Sequence, residues 1–200
     1  GFREERNWRQ LNNNVSRIIN FFTKIKLSKN DRIAAYMPNC IETVEIFLAT
    51  TAIGAIWSSC SPDFGINGVI ERFSQIKPKI LFITDKYFYN GKEINILQRL
   101  PKILEKIRSI QYIIFINYPG EKYLLNYYKF KKVKIFKWNE FKKIKTKKIK
   151  FSKYDFEKDL AILYSSGTTG KPKCICHRSG GVLLQHVKEH QLHCDIKEKD

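Results

Sequence analysis

The chain has 200 residues, 43% of them hydrophobic, which suits a folded globular core and excludes a disordered chain. Its 37 lysines and arginines against 19 acids give a formal charge of +18, which admits a nucleic-acid or anionic-surface reading; lysine accompanied by abundant Ile and Asn reads instead as a solvated basic surface. No apolar run nears the roughly 18–20 residues that cross a bilayer, and cysteines at 40, 60, 174, 176 and 194 outline no disulfide framework, so a soluble, cytoplasmic protein in a reducing compartment is expected.

Trp8, Leu11, Val15, Ile18, Ile19 and Phe22 recur every three or four residues and predict an amphipathic helix. Arg32–Tyr36 reads as a strand stopped by Pro38-Asn39. A helix from Glu42 to Ile53 carries a stripe through Val44, Phe47, Leu48 and Thr51, with Gly54 placed to cap its end. Ala55–Ser59 is a second strand, Asn67–Ile76 a helix broken by Pro78, and Lys79–Thr84 a third strand. A helix over Ile94–Arg108 and a strand over Gln111–Ile116 follow. Ile80–Ile83 and Tyr112–Ile116 are nearly continuous apolar runs, as strands buried on both faces require. Strands alternating with helices predict the fold class: α/β, with a mostly parallel sheet covered by helices.

Residues 117–150 are less regular. Val133–Phe136 is a candidate strand, and Trp138 and Phe141 anchor a short turn. The lysine run from Lys129 to Lys150 contains Glu140 as its one acid. Interleaved with Tyr127, Tyr128, Phe130, Phe136 and Trp138, it has the make-up of an RNA or phosphate patch. An exposed connector with its aromatics turned inward accounts for the same residues and is the preferred reading.

Leu160–Tyr164 reads as a short buried strand, after which the chain turns small and polar. Ser165-Ser166-Gly167-Thr168-Thr169-Gly170 combines hydroxyls with glycines that admit positive φ and close backbone approach. Lys171 and Lys173 add positive charge, and Pro172 stiffens the exit. Successive backbone N–H groups in such a turn form an anion-binding concavity, so the segment is a candidate polyphosphate cradle. It is not a Walker loop, which needs four residues between its first Gly and Gly-Lys-Ser/Thr and a helix directly after. Only two residues separate Gly167 from Gly170, proline follows Lys171, and Cys174–His177 reads as a strand. Without a helix dipole, hydroxyls, amides and lysine must neutralise the phosphates.

The run Tyr164–Lys173 resembles the signature of the adenylate-forming superfamily, and Arg32–Asn39 and the helix at Trp8–Leu11 are similar to its opening elements. Gly54–Gly65, Arg72–Lys79 and Leu163–Gly170 narrow the resemblance to the acetoacetyl-CoA synthetases. Acetyl- and propionyl-CoA synthetases are similar in outline but usually differ around Trp57–Gly65. The resemblance implies part of the large N-terminal AMP-binding domain over residues 1–200. The adenine and ribose motifs, the ribose aspartate and a small C-terminal domain with its lysine are expected downstream, and the piece alone is expected to be inactive with an open sheet edge.

The implied reaction is ATP-dependent activation of acetoacetate, or a similar short acid, and transfer to coenzyme A with Mg2+ as cofactor. Ser165, Ser166, Gly167, Thr168, Thr169 and Gly170 are implied to wrap the β- and γ-phosphates with Lys173 holding charge beside them; Lys171 occupies a variable position. His177, before Gly180-Gly181, matches a His-x-x-Gly-Gly element at a helix entrance near the pocket, or alternatively orients the loop. Tyr89–Lys92 falls where the family carries a turn associated with CoA. The implied partners are small molecules, with no specific nucleic acid and no membrane. A basic nucleic-acid-binding protein is the alternative from another class.

A rival cluster joins His177, His186, His190 and His193 with Cys174, Cys176 and Cys194. His186 and His190 share a helix face, as zinc ligands can, but no Glu follows His186 and Cys174-x-Cys176 is tight for a structural site. On a helix over Val182–Leu192 the apolar face is Val182, Leu183, Val187 and Leu192, leaving the histidines elsewhere. No metal site is expected there.

Overall fold

The computed structural model describes residues 4–118, 132–165 and 170–199. The first helix, α1 (Trp8–Lys24), opens on a capping box in which Asn7 Oδ1 accepts from Gln10 N and Gln10 Oε1 accepts from Asn7 N, both at 2.9 Å. Then follow β1 (Arg32–Tyr36), α2 (Ile41–Ala52), β2 (Ile56–Cys60), α3 (Ile66–Ile76) and β3 (Ile80–Thr84). Gly54, directly after α2, has φ +71° and a Cβ there would lie 2.7 Å from the Tyr154 ring, so this turn requires glycine on two counts.

The expected helix over Ile94–Arg108 is corrected by the structure. A hairpin of β4 (Lys86–Tyr89) and β5 (Lys92–Asn95) occupies its start, a 3-10 turn spans Leu97–Arg99, and only α4 (Leu100–Lys106) is α-helical. Asn90 and Gly91, with φ of 48° and 74°, make the two-residue turn whose twist suits paired strands. Next come β6 (Tyr112–Ile116), β7 (Lys134–Lys137), the short α5 (Trp138–Phe141), β8 (Asp159–Ser165), β9 (Lys173–Arg178) and α6 (Ser179–Lys188), which runs into a π-helical turn at Glu189–His193.

Among the described residues the main sheet has the order β7-β6-β3-β1-β2-β8-β9. Every pairing is parallel except β8 with β9. Ile33 and Ala35 of β1, Ile80 and Phe82 of β3 and Ile114 of β6 point into one core, closed by α1 and α2. Ala34, Tyr36, Leu81, Ile83, Ile113 and Phe115 alternate into the other, closed by Val69, Phe73 and Ile76 of α3 and by α4. This is the two-sided burial read from the continuous apolar runs. Phe73 is wholly buried, which stabilises by about 1.5–3 kcal/mol.

The lysine run separates by side chain. Phe136, Trp138, Ile144 and Ile149 pack on the first core and Phe141 is buried within it, whereas Lys142, Lys143, Lys145, Lys147, Lys148 and Lys150 are exposed. Ser16 of α1 donates to the Lys147 carbonyl at 2.6 Å and Asn20 to the Lys145 carbonyl at 2.8 Å, strapping this connector along the helix. Tyr127, Tyr128, Lys129 and Phe130 lie outside the described residues. Along α6 and the turn after it the expected apolar face is largely solvent-facing, with Leu183, Val187 and Leu192 exposed.

Candidate functional site

The candidate cradle lies between β8 and β9, an antiparallel pair whose register runs from Asp159↔Arg178 to Ser165↔Lys173. Strands on both sides confirm that no helix N-terminus follows the loop. Of the residues singled out, Ser165 closes the end of β8 and Lys173 faces it as the first residue of β9, exposed to solvent. Gly170 has φ +116°, a conformation that favours glycine, and open space surrounds its Cβ position. Lys171 is exposed and Pro172 buried. Ser166, Gly167, Thr168 and Thr169 lie outside the described residues. The described part suits an anion: two exposed lysines, Lys171 and Lys173, follow a backbone left accessible by Gly170, on a ladder that fixes the distance between entry and exit.

His177 stands four residues along β9 from Lys173, opposite Ala161, and is half-buried. The chain enters α6 two residues later, so the structure places His177 at a helix entrance. That entrance is tied to the preceding segment: Ser179 N donates to the Lys158 carbonyl at 2.8 Å and Gly180 N to the Phe156 carbonyl at 3.0 Å. Gly180 lies so close to Phe156 that a Cβ would sit 2.1 Å from the ring, while at Gly181 a Cβ would meet nothing within 4 Å. The two glycines of the motif therefore differ: the first is a packing requirement and the second is not.

Several residues that support the loop enter the sequence reading only as members of longer stretches, with no supporting role assigned to them. Tyr164, next to the loop, hydrogen-bonds through its hydroxyl to Ser58 Oγ at 2.9 Å, and Ser58 Oγ reaches the Ile162 carbonyl at 2.8 Å, joining β2 to β8. Burial pushes the Tyr164 phenol far above its usual value, so it stays protonated. The Arg72 guanidinium of α3 sits 4.0 Å from the Phe64 ring centroid and 5.7 Å from that of Tyr164. Gln75, one turn further, donates to the Pro172 carbonyl at 2.9 Å. A polar Ser58-Ser59 inside an otherwise apolar strand was the one available signal for this support; the contacts from α3 have none.

Tyr89 and Lys92 are paired across the β4–β5 hairpin turn. At its base Lys86, fully buried, bonds Glu93 at 2.7 Å, and Arg99 donates to Tyr36 Oη and to the Pro62 and Phe64 carbonyls. Arg99, shortly after the hairpin, thus ties Tyr36 of β1 to the Pro62–Phe64 segment. The His186 and His190 rings stack at 6.0 Å, yet no group of three or more His, Cys, Asp or Glu with metal-binding geometry occurs among the described residues. All five cysteines are free thiols. No described helix is long and apolar enough to cross a membrane.

With this geometry in hand, comparison with known proteins adds the following. The family model described as AMP-binding enzyme matches residues 2–199. An acetoacetyl-CoA synthetase of Gallus gallus is 41% identical over 181 residues, covering 88% of this chain and 27% of that protein. One from Rhizobium meliloti (strain 1021), an acetoacetyl-coenzyme A synthetase, is 39% identical over 191 residues, covering 96% and 29%. The solved acetoacetyl-CoA synthetase from Streptomyces lividans superposes with a TM-score of 0.84 at 32% identity, covering 94% of this chain and 28% of that one. The chain thus spans between a quarter and a third of the length of the relatives it matches.

Proposed function

This chain belongs to the AMP-binding enzyme family, and from that premise we propose that it carries the phosphate-binding part of an enzyme that converts acetoacetate, ATP and CoA to acetoacetyl-CoA, AMP and pyrophosphate. The observation that carries the reading is the β8–β9 hairpin, which presents Gly170 at φ +116° and Lys173 opposite Ser165 at a glycine- and hydroxyl-rich turn. In the first step a carboxylate oxygen of acetoacetate bonds to the α-phosphorus and the bond to the β-phosphate oxygen breaks, releasing pyrophosphate. In the second the CoA sulfur bonds to the carbonyl carbon, the bond to AMP breaks, and the thiol proton passes to solvent or a base.

Negative charge moves onto the leaving phosphates as the first step proceeds, so fixed donors aimed there stabilise it most. Ser165, Ser166, Gly167, Thr168, Thr169 and Gly170 wrap the β- and γ-phosphates in this reading, and Lys173 supplies the counter-charge. His177, in β9 just before α6, lies near the nucleotide and acyl pocket in this reading. Mg2+, when bound with the nucleotide, further neutralises the phosphate oxygens. Acetoacetate is favoured over acetate or propionate by the acetoacetyl-CoA synthetase relatives and by the Gly54–Gly65 segment.

Replacing Lys173 with Met in the full-length protein tests the assignment. Acetoacetate-dependent exchange of pyrophosphate into ATP is expected to fall about 100-fold, the scale for losing one charge-stabilising donor. Wild-type exchange in the variant would remove Lys173 from the site. Faster exchange with acetate than with acetoacetate in the wild type would replace the substrate.

A further inference from the structure

We infer that Gln75 on α3 is a positioning residue for the phosphate loop, holding the start of its exit strand through the Pro172 carbonyl. Its Nε2 carries two hydrogens, and both are used. One goes to the Glu71 carbonyl one turn back at 2.8 Å, the other to Pro172 O at 2.9 Å. The bond to Glu71 fixes the side-chain rotamer, so the amide reaches Pro172 already oriented. Pro172 has no N–H of its own and its ring is buried, which leaves its carbonyl as the polar group by which this point of the backbone is held.

The position matters because of its neighbours. Pro172 lies between Lys171 and Lys173, and the β8–β9 ladder runs only as far as Ser165↔Lys173. Beyond that pair, among the described residues, Gln75 is the side chain that hydrogen-bonds the loop's exit to the helical layer. The layer itself is firm, since Val69, Phe73 and Ile76 of α3 are buried in the second core and Arg72 lies over Phe64. A one-ångström drift of Lys173 would misplace its charge, and such misplacement is what lowers rates when remote supports fail. The segment Arg72–Lys79 entered the sequence analysis only as part of a resemblance; the structure assigns one of its residues a task. The inference rests on the loop's nucleotide role proposed above.

The test uses the full-length protein with Gln75→Met, which keeps length and helix propensity but removes the donors, and Gln75→Lys, which restores one. Q75M is expected to raise the KM for ATP about 5–10-fold, the range for one lost hydrogen bond to a neutral acceptor. KM values for acetoacetate and CoA should stay within about twofold, with Q75K returning the ATP value to within about threefold of wild type. Amide hydrogen exchange across 170–175 without nucleotide is expected to quicken in Q75M. An unchanged ATP KM, or an equal rise for all three substrates, overturns the positioning role. If the wild-type protein shows no ATP–pyrophosphate exchange, the nucleotide reading fails by itself; faster amide exchange in Q75M then still supports the tether, and unchanged amide exchange overturns it.

Discussion

Gly180 and Gly181 stand side by side in the first turn of α6 and should respond oppositely to alanine. Each substitution gains up to about 1 kcal/mol in helix propensity. At Gly181 nothing lies within 4 Å of the new methyl, so the gain is kept. At Gly180 the methyl would lie 2.1, 2.3 and 2.4 Å from Cδ2, Cγ and Cε2 of Phe156, and the ring must leave. The Phe156 ring is 55% exposed and can swing outward, but its backbone is held by the bond from Gly180 N. Overpacking of this kind costs about 1–3 kcal/mol. After the propensity gain, G180A should be destabilised by up to about 2 kcal/mol and G181A should be slightly stabilised. Urea unfolding of the full-length variants gives both numbers from midpoints at matched slopes. In a Phe156→Ala background the penalty at Gly180 should vanish, as a double-mutant cycle reads directly. Equal stabilities for G180A and G181A would refute the packing argument.

Glu45 is almost fully buried in α2, with one oxygen accepting from Asn14 at 2.6 Å and the other, Oε2, buried and unpartnered. Burial raises its carboxyl pKa above the usual value. The folded state therefore holds the proton more tightly than the unfolded chain, and the associated stability is present at low pH and lost as pH rises through the folded-state pKa. Glu45→Gln is expected to raise the urea midpoint at pH 7 and to make little difference near pH 3.5; a lower midpoint at pH 7 would count against it. The thiols should react in a set order at pH 8. Cys194 and Cys176 are both exposed, but local desolvation and the Asp159 carboxylate push Cys176 up to about 11, and burial pushes Cys60 up to about 12, leaving Cys60 almost wholly as thiol. Mass spectrometry after brief alkylation should find Cys194 modified first and Cys60 only on unfolding; early labelling of Cys60 would contradict its burial.

The parallel sheet is readable in the sequence because strands buried on both faces have no polar positions to spare, and Ile80–Ile83 and Tyr112–Ile116 display this plainly. The β4–β5 hairpin is not, although Asn90-Gly91 is a strong turn signal. Ile94, Leu97, Leu100 and Leu104 follow one another at helical spacing, yet Ile94 belongs to a strand, and tertiary pairing with Tyr87 overrides the local pattern. The loop announces itself by composition, since glycine, hydroxyls and lysine next to one another suit little else. Its supports do not, because Gln75 meets Pro172 across 97 positions of chain and Ser58 meets Tyr164 across 106. Contacts at that range leave no local periodicity.

One attachment sets how this site behaves on heating. β1 and β2 share register from Arg32↔Ile56 to Tyr36↔Cys60, but among the described residues β8 and β2 share the one register pair Trp57↔Ala161, supplemented by the Ser58 side chain. The strand pair bearing the loop is thus held by fewer backbone pairings than the doubly covered centre, and it is expected to open before that centre does. With the nucleotide role proposed above, loss of ATP binding by the full-length protein should precede the global transition, so that the temperature of inactivation lies below that of denaturation. Changes that thicken the central cores will raise the second temperature and leave the first where it was.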